Sequence, residues 1–248
     1  MGLCQYRRTG RWRHAHRVLA GGANAGVGSV IAVTAAVAFR ASRLDFGAAP
    51  GGDRASRGRV WRPRASRGGA HRAIRVARSR AAEWGIDPGR IGILGFSAGG
   101  HLAVSAGVLH AEQCYEPVDA ADEASPRPDF VVGCYPVVSF GPVGHSGSMV
   151  NLLGENPDRR QRRRLSLEES VDARTSPAFL WHTADDEGVA VENSLLLATA
   201  LRWHRVPFEL HVFPHGRHGL GLAPDRPDVA AWTELCARWI LTQGRETA

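Results

Sequence analysis

A serine, an aspartate and a histidine follow one another in the chain in an order that suits nucleophilic catalysis. Ser97 is the centre of a G-x-S-x-G run at residues 95–99, and Asp186 and His218 come after it. A hydroxyl is a weak nucleophile at neutral pH, so Ser97 needs a base to remove its proton. That base in turn needs a carboxylate to orient it. These residue types therefore predict acyl transfer through a covalent serine intermediate.

The residues around Ser97 predict how its side chain is presented. Residues 90–94 are an apolar run typical of a buried strand, and residues 100–106 are small and apolar, as in a helix packed on a sheet. Glycines on both sides of the serine permit a very tight turn between the two. Such a turn lifts the hydroxyl away from the sheet and directs the N–H of Ala98 at a developing oxyanion.

The remaining elements place the three residues at one edge of a sheet. Apolar or alternating runs predict strands at residues 129–138, 178–183 and 208–213, and helical periodicity predicts helices at 72–84, 191–204 and 229–241. This alternation predicts an α/β fold with a mostly parallel, doubly wound sheet. Asp186 follows one strand and His218 the next, so both should lie at the carboxyl edge with Ser97. Residues 139–177 interrupt the alternation and are predicted to form an excursion over the site.

Several separated motifs resemble one branch of a known superfamily. They are G-F-S-A-G-G-H-L-A at 95–103, Y-P-V-V-S at 135–139, N-L-L-G at 151–154, H-T-A-D-D at 182–186 with V-E-N-S at 191–194, and H-G-R-H-G-L-G-L at 215–222. Together they resemble the acetyl-esterase and acetyl-xylan-esterase-like (feruloyl-esterase-like) branch of the α/β-hydrolases. The resemblance runs from about residue 73 to about residue 241.

The resemblance implies roles for individual residues. Ser97 would be the nucleophile, His218 the base and Asp186 the orienting acid, with the N–H of Ala98 as oxyanion donor. Members of the branch cleave short acyl esters, often acetyl or feruloyl groups on plant polysaccharide, without metal or organic cofactor. The expected partner is therefore a small ester or an acylated sugar. Residues expected to shape the acyl pocket are Pro136, Val137, Asn151, Leu152 and Val189.

Asp186 and His218 each have a residue of the same type nearby that could take the same role. Asp186 is favoured over Asp185 because it stands three residues before Val189, as in the D-x-x-V-P turn of the family, although Ala190 replaces the proline. His218 is favoured over His215, which is expected to be a loop residue. His182 is expected to be a core histidine, and the arginines at 159–164 a solvated helix face.

Two other functions remain open at this point. A peptidase related to the prolyl oligopeptidases would share the triad, but such enzymes usually carry a large propeller domain for which 248 residues leave no room. A catalytically impaired hydrolase-like fragment would keep the triad residues without a competent fold.

Residues 1–70 depart from the family pattern. They are rich in Arg, Gly and Ala and are predicted to be largely disordered or irregular, which leaves residues 71–248 as the catalytic core and the sheet incomplete on its N-terminal side. The Gly-rich turn that supplies a second oxyanion donor in the family is not recognisable, and Gly21-Gly22 is a weak substitute. Three accounts remain: an export signal within residues 1–38, a divergent folded half, or GC-rich codons read outside the natural frame.

Charge is distributed unevenly along the chain. Residues 1–80 hold 17 arginines and two acidic residues, whereas residues 81–248 hold 14 arginines and 22 acidic residues. The predicted catalytic part is therefore acidic, which argues against nucleic acid as a partner despite the net charge of +7. No stable membrane association is expected, and the predicted compartment is the cytoplasm unless the export signal is real.

The four cysteines show no spacing typical of a metal site. Cys134 falls in a predicted strand and Cys236 in a predicted helix, so both are expected to be buried free thiols. A disulfide between Cys114 and Cys134 remains an alternative. Oligomeric state cannot be predicted from these patterns.

Overall fold

The computed structural model describes residues 31–35 and 63–244. Within them, five strands form one parallel sheet in chain order: β1 (Ile31–Ala35), β2 (Ile91–Phe96), β3 (Phe130–Cys134), β4 (Ala178–Thr183) and β5 (Phe208–Phe213). The predicted parallel α/β fold is confirmed. In the described part of the chain β1 is the outermost strand on its side, in agreement with a sheet that is incomplete towards the N-terminus.

Helices cover both faces of this sheet, as the prediction of a doubly wound fold requires. They are α1 (Pro63–Ser79), α2 (Ala81–Trp84), α3 (Ala98–Val108), α4 (Ser146–Leu153), α5 (Arg159–Leu165), α6 (Glu192–Trp203), α7 (Pro227–Ala230) and α8 (Trp232–Thr242). Two 3₁₀ helices, Ala120–Glu123 and Leu167–Ser170, lie in the connections.

Successive side chains of the central strands supply two separate cores. On β4, Leu180 belongs to the core that includes residues of α1, α3 and α6, whereas its neighbours Phe179 and Trp181 belong to the core that includes residues of α8. This follows from the two-residue repeat of a strand, which sends adjacent side chains to opposite faces. All six residues of β4 are buried, which explains the uninterrupted apolar run in the sequence.

The predicted excursion at residues 139–177 contains α4, α5 and the second 3₁₀ helix. Leu165, Leu167 and Val171 are buried in the core formed by α1, α3 and α6. The excursion therefore packs on that helical layer rather than standing apart from it.

The predicted boundary between residues 70 and 71 is wrong, because it falls inside α1. That helix begins at Pro63, and β1 also lies within the segment predicted to be irregular. Arg67, from the segment predicted to be irregular, and three arginines of the predicted helix at 72–84 form ion pairs with the acidic connection between α3 and β3. The pairs are Arg67–Glu112, Arg72–Asp119, Arg72–Asp122, Arg75–Asp122 and Arg78–Asp129.

Cysteine and membrane predictions can be compared with the described residues only. Cys114, Cys134 and Cys236 are free there, and the latter two are buried as predicted, so the alternative disulfide between Cys114 and Cys134 is not formed. Cys4, Gly21-Gly22 and most of the candidate export signal lie outside the described residues. No helix in the described ranges is long and apolar enough to span a bilayer.

Candidate active site

Ser97 occupies a strained turn between β2 and α3. Its backbone has φ 54° and ψ −121°, a conformation that L-residues rarely adopt. The turn leaves no space for side chains beside it: a Cβ at Gly95 would lie 2.0 Å from the carbonyl oxygen of Gly99, and one at Gly100 would lie 2.8 Å from Cα of Pro136. These two approaches explain why residues 95 and 100 are glycines.

His218 bridges Ser97 and Asp186. Its Nε2 lies 2.7 Å from the Ser97 Oγ, and its Nδ1 lies 2.8 Å from Oδ2 of Asp186. An ionised carboxylate can only accept hydrogen bonds, so Nδ1 carries the proton and Nε2 is free to accept the hydroxyl proton of the serine. The geometry therefore matches the predicted roles of Ser97 as nucleophile, His218 as base and Asp186 as orienting acid.

Asp186 is held in its ionised form. Its side chain is only 1% exposed, and this burial opposes ionisation. Hydrogen bonds from His182, His218 and the Val189 N–H outweigh that effect and lower the pKa of Asp186 below its ordinary range. The carboxylate therefore stays charged, and such a charge could stabilise an imidazolium at His218.

A buried histidine supports this carboxylate from behind. His182 is fully buried, and its Nε2 lies 2.9 Å from the carbonyl oxygen of Val189 and 3.5 Å from Oδ2 of Asp186. Since a carbonyl accepts, Nε2 carries the proton, and Nδ1 accepts from the hydroxyl of Ser194 at 2.8 Å. His182 is thus a satisfied core histidine, as predicted, and it also braces the turn that carries Asp186.

Tyr135 forms the wall behind the catalytic imidazole. Its ring meets that of His218 nearly edge to face, with centroids 5.0 Å apart. The hydroxyl accepts the N–H of Gly221 at 3.0 Å, and burial raises the pKa of Tyr135 to about 12. The residue therefore stays neutral and fixes both the ring of His218 and the loop that follows it.

The predicted oxyanion donor stands at the first position of α3. The N–H groups at the start of a helix have no intrahelical partner, so that of Ala98 is available to a ligand oxygen. The carbonyl of Ser97 is already engaged, because it accepts the N–H of His101 at 3.1 Å and of Val137 at 3.2 Å. Those bonds fix the peptide that carries the Ala98 N–H.

The residues predicted to bind substrate are placed differently from one another. Pro136 lies against Gly100 beside the serine turn. Val137, Leu152 and Val189 are buried core residues, and Asn151 is exposed on α4. Their part in substrate binding stays a prediction. The three buried side chains could only shape the wall of the acyl pocket from behind.

Asn193 connects the loops around the site, a role that the sequence reasoning missed. The residue is fully buried, and its Oδ1 accepts the N–H groups of Val138 and Ser139 at 2.9 and 3.0 Å. Its Nδ2 donates to the carbonyls of Val143 and Ala190. The only sequence signal was its place in the V-E-N-S motif.

His145 is a second residue without a sequence prediction. It caps α4, because its Nδ1 accepts the N–H of Ser148 at 3.0 Å. Burial lowers the pKa of His145, and the positive charge that a protonated His218 would carry lowers it further.

Comparison with known proteins agrees with this geometry. The BD-FAE family profile matches residues 68–201, which is more than half of the chain. The chain belongs to the BD-FAE family. Its parallel sheet, serine turn and triad identify its fold as that of the α/β-hydrolases, so the predicted superfamily and esterase-like branch are confirmed.

Two curated relatives carry names from xylan metabolism. Over 154 residues, 62% of this chain, it is 42% identical to endo-1,4-beta-xylanase B of Butyrivibrio fibrisolvens. Over 159 residues it is 31% identical to an acetylxylan esterase of Xylanibacter ruminicola. The chain spans only 24% and 31% of the lengths of these two relatives.

Solved structures give the same fold. The acetyl ester-xyloside bifunctional hydrolase of Caldicellulosiruptor lactoaceticus is 54% identical, with a TM-score of 0.65 over 68% of this chain and 62% of that one. A carboxylesterase of Lactobacillus plantarum is 28% identical, with a TM-score of 0.58 over 72% and 68% of the two chains.

Proposed function

We propose that this protein is a serine carboxylesterase that hydrolyses short acyl esters, of acetyl or feruloyl type, on carbohydrate. The observation that carries the proposal is the pair of contacts made by His218, at 2.7 Å to Ser97 Oγ and 2.8 Å to Asp186 Oδ2. The names of the xylan-esterase and bifunctional relatives support acylated carbohydrate as the substrate class.

The first half of the reaction forms an acyl-enzyme. His218 Nε2 accepts the proton of Ser97 as Oγ attacks the ester carbonyl, and Asp186 stabilises the resulting imidazolium. The Ala98 N–H donates to the oxyanion of the tetrahedral intermediate. When that intermediate collapses, the C–O bond to the alcohol breaks and His218 returns the proton to the leaving alcohol.

The second half repeats these steps with water. His218 removes a proton from a water molecule that attacks the acyl carbonyl, and the carboxylic acid leaves as Ser97 regains its proton. No step needs a metal or an organic cofactor. In the described residues no cluster of three or more histidine, cysteine or acidic side chains is arranged to hold a metal ion.

The test is hydrolysis of p-nitrophenyl acetate by the full chain beside Ser97→Ala. The proposal expects a rate that falls at least about 10³-fold in the variant, because the nucleophile is lost. Equal rates in the two proteins would contradict a serine mechanism.

The substrate class needs a second comparison on the same preparation. Release of acetate from acetylated xylan and of ferulate from methyl ferulate is measured beside cleavage of a proline-containing peptide amide. Ester cleavage without amide cleavage supports the proposal, whereas faster cleavage of the peptide favours a peptidase.

A further inference from the structure

Two adjacent carboxylates on one turn bind the loop that carries the catalytic histidine. Asp186 binds the imidazole of His218, as described above. Its neighbour Asp185 binds the same loop two and three residues earlier: Oδ1 accepts the N–H of Gly216 at 2.7 Å, and Oδ2 lies 3.0 Å from Nδ1 of His215. The reaction proposed above does not use Asp185.

Gly216 is held from both sides by the end of β4. While Asp185 accepts its N–H, its carbonyl accepts the hydroxyl of Thr183 at 2.7 Å, and that bond is buried. A Cβ at Gly216 would lie 2.8 Å from Cγ2 of Thr183, so a larger residue at position 216 would displace the loop. The backbone two residues before His218 is therefore fixed relative to the turn that carries Asp186.

His218 has little room to shift on the opposite side. A Cβ at Gly188 would lie 2.7 Å from Cβ of His218, so the turn after Asp186 leaves no room for a further side chain beside the imidazole. At the start of the loop, the carbonyl of His215 accepts a hydrogen bond from Arg226 at 2.9 Å. Arg226 is itself paired with Asp228. The loop is thus anchored before and beside the imidazole.

We propose that Asp185 is a positioning residue for the catalytic histidine. Its carboxylate holds the Gly216 N–H and thereby sets His218 where one ring reaches both Ser97 and Asp186. Displacement of a reacting group by about 1 Å can cost about 10²-fold in rate, so loss of this anchor should slow turnover. The rate effect rests on the proposed esterase function, whereas the effect on the loop does not.

The backbone contact, rather than the ion pair, is expected to carry the effect. The side chain of His215 is 76% exposed and that of Asp185 52%, so water screens the pair between them. His215→Ala should therefore leave turnover nearly unchanged. Asp185→Asn should retain most of the activity, because its amide oxygen can still accept from Gly216.

The kinetic test compares Asp185→Ala, Asp185→Asn and, as a matched control on the same turn, exposed Glu187→Ala. With p-nitrophenyl acetate, Asp185→Ala is expected to lower kcat about 10- to 100-fold with KM within about twofold, while the other two stay near wild type. A kcat within twofold of wild type for Asp185→Ala, or an Asp185→Asn variant as slow as Asp185→Ala, would overturn the proposal.

A second readout does not depend on turnover. Proton NMR follows the exchange of the Gly216 amide and the low-field resonance of the His218 Nδ1 proton. Wild type and Asp185→Asn should show a protected amide and a sharp resonance, and Asp185→Ala should lose both. Unchanged signals in Asp185→Ala overturn the positioning role, whether or not the wild type hydrolyses esters; an inactive wild type with the expected signals contradicts only the proposed function.

Discussion

The edge of the sheet where Ser97, Asp186 and His218 meet, here called the catalytic edge, and the face covered by α1 differ in the histidines and carboxylates that they bury. At the catalytic edge, short contacts at the ends of β2, β4 and β5 keep one carboxylate charged, that of Asp186. Beneath α1, burial keeps two imidazoles neutral, because it lowers the pKa values of His71 and His101 to about 4. Positive charge from Arg67 adds to that lowering. On the proposed function, the first region takes part in proton transfer, whereas the second contributes to the stability of the fold.

Because the two regions differ in this way, substitutions in them should have different effects on activity and on stability. A change at the catalytic edge should remove activity and leave the fold intact, whereas a change beneath α1 should lower stability and leave the activity of the folded protein unchanged.

Asp186→Asn should lower kcat about 10⁴-fold while the protein stays folded. The amide can still accept from the backbone of Gly188 or Val189, but it can present an N–H to His218 and so favour the wrong tautomer. Steady-state hydrolysis of p-nitrophenyl acetate measures the effect, with Glu187→Gln as control. A loss below tenfold would show that Asp186 does not orient the base.

The free energy of unfolding should fall as the pH decreases from about 6.5 to about 4. In that window the unfolded chain protonates His71 and His101 near their ordinary pKa of 6.5, while the folded chain holds them neutral until about 4. The unfolded state then binds more protons, and each imidazole contributes about 3 kcal/mol of lost stability.

Urea unfolding across this pH window measures that slope. His101→Gln, whose amide can still donate to the carbonyl of Leu165, should flatten it, whereas His204→Gln on the surface should not. An identical slope in wild type and His101→Gln would contradict the account.

Asp122→Asn should lower the melting temperature clearly without changing kcat at room temperature. The buried carboxylate accepts from Tyr115 and from the Val118 N–H and pairs with Arg72 and Arg75, and an amide would present a donor to those donors. Thermal melts beside exposed Glu116→Gln provide the comparison. Loss of kcat in the folded variant would mean that the two regions are coupled.

Arg174→Ala should change the free energy of unfolding by less than about 0.5 kcal/mol. The Arg174 side chain is 74% exposed where it pairs with Asp172, so solvent screens the pair. Chemical denaturation measures the change. A loss of stability as large as that of Asp122→Asn would show that the solvent exposure of an ion pair does not determine how much it contributes to stability.

The three residues of the catalytic edge could be predicted from the sequence because each follows a strand that a local apolar or alternating pattern indicates. Ser97, Asp186 and His218 each sit directly after a strand, and strand ends of a parallel sheet meet at one edge whatever the rest of the fold does. Strand β4 and helix α6 were predicted almost to the residue, because continuous apolar runs and helical periodicity are short-range signals.

The packing of α1 could not be predicted in the same way. Its arginines find their acidic partners about 40 to 50 positions further along the chain, so the sequence displays only an unusual composition. The same holds for His101, which donates to the carbonyl of Leu165, 64 residues away. Asn193 likewise binds the backbone of the 138–143 segment, which lies 50 to 55 residues earlier in the chain, so no local pattern reveals its role.

The most direct test of the assembled triad is labelling with a fluorophosphonate followed by mass spectrometry of the intact chain and its peptides. Only a serine activated by a correctly placed imidazole reacts quickly with this probe. The account predicts one adduct per chain, located on Ser97, that is absent in Ser97→Ala and forms far more slowly in Asp186→Asn. An unlabelled wild type, or an adduct on another residue, would contradict it.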